Sequence, residues 1–184
     1  CLYLGGIDAP VQKLEKGEGS MIHDLYTPEG ETLAGTPWQV YPRPQLKRDS
    51  YVNLNGIWDF AVSDTDSNPI YNQKILVPFC PESLLSGVHT QVKPGSYLFY
   101  RRSFSAKKQA GRLLLHVGAA DQVAHIYVNQ QVLCHHEGGY EAFTADITDF
   151  LKEENELVIR VQDDLRDQTF PYGKQTLKRG GMWY

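Results

Sequence analysis

Residues 112–162, RLLLHVGAADQVAHIYVNQQVLCHHEGGYEAFTADITDFLKEENELVIRVQ, decide the fold. They hold three apolar runs rich in β-formers, separated by turn signals, and none has helical period. Ala124, Ile126 and Val128 alternate with His125, Tyr127 and Asn129, and Leu157, Ile159 and Val161 alternate with Val158, Arg160 and Gln162. Side chains on a strand point to opposite faces with period 2, so both runs are predicted strands with one buried face. Asn129-Gln130-Gln131 is the expected hairpin turn, because Asn tolerates positive φ, and residues 132–134 are the expected returning strand. The unit is an antiparallel sheet.

The same pattern continues outward. Residues 1–37 are rich in Gly, Glu and Pro, lack sustained periodicity, and are expected to form an irregular N-terminal arm; a single domain then runs over 38–184. The prolines of Tyr41-Pro42-Arg43-Pro44 exclude helix. In Asn53-Leu54-Asn55-Gly56-Ile57-Trp58-Asp59-Phe60 a turn leads into a strand, with Ile57 and Trp58 expected in the core. Ile75-Leu76-Val77 is a short strand stopped by Pro78, and residues 81–88 have room for one helical turn. Pro94-Gly95 turns the chain into a strand over 96–104 with Leu98, Tyr100, Arg102 and Phe104 on one face. Leu113-Leu114-Leu115 follows, and Thr148 or Asp149 is positioned to cap a short turn after Ile147. Roughly eight to ten short strands at this spacing predict an all-β, jelly-roll β-sandwich.

Composition narrows the function. The chain has 184 residues, 41% hydrophobic and 22% charged, which suits a globular domain that needs neither disulfide nor metal to fold. A net charge of -4 argues against a nucleic-acid surface. No apolar run approaches the roughly 20 residues of a membrane span. Cys1, Cys80 and Cys134 fit no zinc pattern, and with no secretory signal they point to a reducing, cytoplasmic setting. Cys1 is also where a processed lipoprotein would carry its lipid, or a tag its remnant.

Several motifs in fixed order carry a resemblance. Tyr51-Val52-Asn53-Leu54-Asn55-Gly56-Ile57-Trp58-Asp59-Phe60, Val77-Pro78-Phe79 with Glu82-Ser83, and Tyr100-Arg101-Arg102-Ser103-Phe104 are followed by the run from Leu115 through Asp121. Val128-Asn129, His136 with Gly138-Gly139-Tyr140, Asp146-Ile147-Thr148 and Gly181-Met182-Trp183-Tyr184 complete the set. Together they are similar to the N-terminal domain of glycoside hydrolase family 2, which includes β-galactosidases, β-glucuronidases and β-mannosidases. The resemblance spans about residues 38–184. It implies a galactose-binding-domain-like jelly roll followed, in the same polypeptide, by an immunoglobulin-like domain and a (β/α)₈ barrel that carries the two catalytic glutamates. It also implies that the domain continues past Tyr184 into another strand. No catalytic residue, cofactor or metal is therefore assigned to this chain, and its partners are a carbohydrate substrate and those downstream domains.

Candidate substrate-facing residues lie in the loop over 163–184. Tyr172, Trp183 and Tyr184 offer flat rings for the C–H faces of a pyranose, with core or strand packing as the alternative for the last two. Long irregular loops in compact domains are often functional. By the family's layout this one reaches towards the barrel's active-site mouth, but where some members place an acid near its end, Gly180-Gly181-Met182-Trp183-Tyr184 has none. Asp163 and Asp164, with Asp167 close by, could in principle do acid/base work. Adjacent side chains on extended chain point apart, and the expectation for them is a solvated loop. His135-His136-Glu137 resembles a metal cluster, yet neighbours on a strand face opposite ways, and His136 before Gly138-Gly139 is expected to be structural. Three functions fit: an accessory domain of a family 2 glycosidase, a stand-alone carbohydrate-binding module, and a structural sandwich without sugar contact.

Overall fold

A computed structural model describes residues 26–37, 50–106, 111–164, 166, 169, 171, 173 and 175. Eight strands lie among them: β1 (Gly56–Ser63), β2 (Gln73–Val77), β3 (Tyr97–Ser105), β4 (Leu114–Val117), β5 (Val123–Val128), β6 (Gln131–Glu137), β7 (Phe143–Asp146) and β8 (Glu154–Gln162). Every pairing is antiparallel. Six strands make one sheet in the order β2-β1-β3-β8-β5-β6, and β4 pairs with β7 in a second. Apolar residues of both sheets meet in one core: Phe60, Ile75, Leu98, Ile126 and Leu157 from the large sheet, with Leu115, Val117 and Phe143 of the small sheet packed against them. The expected β-sandwich is present.

The central strands follow the alternation read from sequence. Ala124, Ile126 and Val128 are fully buried, as are Leu157 and Val161 on the neighbouring strand, where Ile126 pairs with Ile159. The hairpin turn is tighter than expected. Asn129 and Gln130 alone make it, both with positive φ (51° and 68°), as a two-residue turn with the twist of a hairpin requires. Gln131 already belongs to β6, which runs to Glu137 instead of stopping at Cys134. The register shifts between Ile126, which pairs with Cys134, and Tyr127, which pairs with Val132, so Leu133 is the extra residue of a bulge.

Three local expectations need correction. Ile57 is 58% exposed whereas Trp58 is buried, because consecutive residues of β1 face opposite sides and only one can enter the core. The turn at Thr148–Phe150 is capped by neither Thr148 nor Asp149; Asp146 Oδ1 accepts from the Thr148 amide at 3.0 Å, and Thr148 Oγ1 accepts from Leu113 N at 2.8 Å. The outer face of the large sheet also has a buried centre, with Ala61 and Phe99 covered. Arg160 reaches from that face to the Asp66 carbonyl at 3.2 Å, and the Arg101 guanidinium stacks 4.1 Å from the Tyr71 ring, which draws the loop over 64–72 across it.

Of the expected arm, residues 26–37 are described. Thr27 caps a single turn, α1 (Pro28–Thr32), by accepting from Gly30 N, and Gly30 is buried so close to Leu85 that a Cβ would stand 3.2 Å from its side chain. The single turn expected over 81–88 is a 3-10 turn at Leu84–Ser86. Trp38 and Tyr41-Pro42-Arg43-Pro44 lie outside the described residues. Among those described, no helix is long and apolar enough to cross a membrane.

Candidate functional site

At one end of the large sheet, β3 begins, β5 begins, β6 ends and β8 ends, and backbone hydrogen bonds staple the four adjoining loops together. Gln122 N donates to Gln162 O (3.2 Å), Gly138 N to Gln122 O (2.8 Å) and Gly95 N to Asp163 O (2.9 Å). The Gln162 side chain donates to Gly95 O at 3.0 Å. Each of the four loops is thus joined by at least one hydrogen bond to another loop or to the end of β8. That rigidity is what a surface that positions a ligand needs.

At this junction Asp121, Gln122, Asp163 and Gln175 are buried, Asp163 to 1% exposure. The expectation of a solvated Asp163 is therefore wrong. It follows directly on β8, beside β5, and nearby the Gln175 amide Nε2 donates to Asp121 Oδ2. Gly139 lies against the Asp121 carboxylate with no room for a Cβ. Gly173, at φ 57°, faces the Tyr140 hydroxyl, which a Cβ there would meet at 2.8 Å. Asp164 does take the other direction, as adjacent residues should. It forms a fork with Arg166, whose Nε donates to Oδ1 at 2.7 Å, and the two side chains lie against Gly95.

Burial governs the charges. It pushes the Asp163 carboxyl up to about 7, reinforced by the nearby charges of Asp121, Asp164 and Glu82. Asp121 is pushed up to about 6 by burial, against which the Gln175 amide works. Asp164 is held below the ordinary carboxylate range by its hydrogen bonds from Arg166. Asp121 Oδ1, both oxygens of Asp163, Gln122 Nε2 and Gln175 Oε1 have no hydrogen-bond partner among the described residues.

Two acids with raised, separated pKa values are the pattern of an acid/base pair, but a carboxyl this deeply covered presents no face to a substrate. The open depressions lie elsewhere. One of about 410 Å³ is lined by Ser105, Ala106, Glu153 and Glu154, and another of about 230 Å³ includes Asn129, Lys152 and Asn155; both sit at the opposite end of β8. The arrangement around Asp121 and Asp163 holds loops in place.

Of the residues singled out from sequence, the structure brings Asp163 into this cluster and leaves Asp164 at its rim. Tyr172, Trp183 and Tyr184, with Asp167, lie outside the described residues. Asp121 and Gln175 were missed as site residues because no local pattern links them to Asp163. His135 and His136 face opposite sides: His136 stacks on Phe143 at 4.2 Å and its Nε2 lies 3.1 Å from Gly138 O, while His135 faces Glu137 at 3.0 Å and the His125 ring at 5.3 Å. Among the described residues, no group of three or more His, Cys, Asp and Glu side chains could hold a metal ion.

Residues 73–176 match the sequence model of the family described as glycosyl hydrolase 2 galactose-binding domain-like. A β-galactosidase of Thermoanaerobacter pseudethanolicus is 34% identical over 85 residues, which is 43% of this chain and 11% of that protein. The structure of Bifidobacterium dentium β-glucuronidase complexed with coumarin-3-O-glucuronide is 29% identical with a TM-score of 0.54, covering 70% of this chain and 22% of that one. A β-glucuronidase from Ruminococcus gnavus, in complex with C6-substituted uronic isofagomine, has a TM-score of 0.58 over 82% of this chain and 27% of its own; at 19% identity it shows the fold alone. The chain thus spans about a tenth of the β-galactosidase and about a quarter of the glucuronidases.

Proposed function

The chain belongs to the glycosyl hydrolase 2 galactose-binding domain-like family, and from that premise we propose that it works as the accessory wall of a glycosidase active site, with the catalytic carboxylates supplied by other parts of a longer polypeptide. The observation that carries this reading is the stapled loop end. Four loops are locked to one another there, and the segment that leaves it, 163–175, leads to Trp183 and Tyr184. A rigid edge next to an aromatic-bearing segment suits a domain that helps to close a pocket whose floor lies elsewhere.

The partners are an immunoglobulin-like domain and a (β/α)₈ barrel of the same polypeptide, and the substrate is an O-glycoside. The reaction is hydrolysis, with a general acid and a nucleophile on the barrel. This chain's own contribution is orientation. Its rings pack on the sugar, and its fixed backbone keeps them in register with the reacting bond.

The test compares the purified chain with the full-length protein on nitrophenyl galactoside and glucuronide. The chain alone should turn over neither, and the full-length protein should hydrolyse one of them. In the full-length protein, Trp183→Ala should lower kcat/KM roughly ten-fold or more while shifting unfolding by less than about 1 kcal/mol. Micromolar binding of a monosaccharide by the chain alone would instead favour a stand-alone module. Loss of folding with unchanged specific activity in Trp183→Ala would make that residue part of the core.

A further inference from the structure

We propose that His125 makes the cover over the outer face of the large sheet acid-labile: when its ring takes a proton, Arg160 is driven from its place and the end of the 64–72 loop that it holds is released. The inference is independent of the accessory-domain reading, since it concerns this chain alone.

The device is a row of three side chains across the sheet. His135 of β6 pairs with His125 of β5, which pairs with Arg160 of β8, and residues directly opposite on neighbouring strands share a face. The row continues through Phe99 of β3 to Ala61 of β1, both buried although they lie on the outer face. The His125 and His135 rings are 5.3 Å apart. The Arg160 side chain is only 13% exposed; its Nη1 donates to Asp66 O at 3.2 Å and lies 3.5 Å from Asp66 Oδ2, and its guanidinium stands 5.4 Å from the Tyr97 ring. Arg160 thus fastens residue 66 to the sheet.

Charge in this row is uneven. From β6, β8 and the loop, the charged groups that face His125 are His135, Glu137, Arg160 and Asp66. Each acid serves one end of the row: Glu137 lies 3.0 Å from His135 Nε2, and Asp66 is bonded to Arg160. His125, in the middle, stands between a permanent cation and a second imidazole, and like charges directly opposite on a sheet repel. Burial, then Arg160 and His135, hold the His125 imidazole below its ordinary range, and the pull of Asp66 and Glu137 does not offset them. A ring that resists its proton in the closed form takes it more readily once Arg160 can swing into water, so acid favours the released form. Arg160 cannot respond by losing its own charge. The loop's other anchor is different. Tyr71 rests on Arg101, which is held by Asp59 Oδ2 at 2.9 Å and pairs with Val158, itself opposite Tyr127, so no imidazole stands in that row. The loop should therefore lift at residue 66 and stay fixed at residue 71.

The experiment follows the isotope-labelled chain by NMR from about pH 7.5 to about pH 5, across the range where imidazole titrates. The heteronuclear NOE of the Asp66 and Ser67 amides should fall by about a third or more, in step with the titration of the His125 ring signal, while the Tyr71 amide keeps its value. His125→Gln should keep the loop closed over the whole range. Arg160→Gln should free Asp66 and Ser67 at both extremes and, by linkage, move the His125 titration to higher pH. Glu137→Gln, which removes a negative charge that favours the proton, should move it to lower pH. Native methyl shifts of the buried Ile126 show that a variant is folded. A loop equally rigid at both extremes in the parent chain would overturn the proposal. So would loosening that survives His125→Gln, or a His125 titration that Arg160→Gln leaves in place or lowers.

Discussion

Replacing Asp163 by Asn should make the chain more stable above neutral pH and leave it little changed in acid. In the fold this carboxyl titrates at about 7, against an ordinary value of 3.8. Between those values the folded chain holds a proton that the unfolded chain has released, so stability falls as pH rises through the window and the loss is complete above the higher value. At 1.36 kcal/mol for each tenfold change in proton affinity, that difference sets a ceiling of about 4 kcal/mol for the charged form at about pH 8. Relaxation and water entry around the buried charge reduce this to a working figure of about 2–3 kcal/mol, a large part of a domain's typical 5–15 kcal/mol. Asp121, titrating at about 6, adds in the same direction, but the two acids repel and lose their protons as a coupled pair, so the effects do not simply sum. The Asn amide has nearly the same shape and no charge to bury. Urea unfolding followed by tryptophan fluorescence at about pH 5 and about pH 8 should show the parent less stable at the higher pH and Asp163→Asn flattening the difference. A parent chain equally or more stable at about pH 8, or a variant weakened by the same amount at both, would refute the reasoning.

Other variants probe the frame that holds the site. Ile126→Ala removes a fully buried side chain at the centre of β5 and should cost about 2–5 kcal/mol, read from the shift in urea midpoint at constant slope. Gln130→Gly should raise stability by up to about 1 kcal/mol, because Gln130 now bears a positive φ that glycine adopts freely, and Tm should rise accordingly. Asn155→Ala should cost about 2–4 kcal/mol, since the buried amide accepts from Lys152 N (2.8 Å) and Asn129 Nδ2 (3.0 Å) and donates to Lys152 O (3.0 Å), and its loss strands those groups. An effect below about 1 kcal/mol would show that water replaces the amide.

Alternation along a strand is a local property of the backbone, and it was enough to identify β5 and β8, to divide their faces, and to place Asn129 at a turn. The order of short motifs, from Asn53-Leu54-Asn55-Gly56 to Gly181-Met182-Trp183-Tyr184, likewise carried the family without any coordinate, because the motifs mark turns and strand ends that one sandwich requires in one sequence. Phase relative to the core was not local. Ile57 and Trp58 are equally apolar, and only the packing of β1 between β2 and β3 sends Trp58 inward and leaves Ile57 outside. The same holds for the site. Gln162-Asp163-Asp164 after a strand has the composition of a solvated loop, and for Asp164 that reading is close to the outcome. Asp163 is buried because β5 lies beside β8, which brings Asp121 next to it, and because the chain returns to set Gln175 on Asp121. Residues far apart in sequence supply the atoms that exclude water from a carboxylate. Its environment, and with it its charge, was therefore decided by tertiary packing alone.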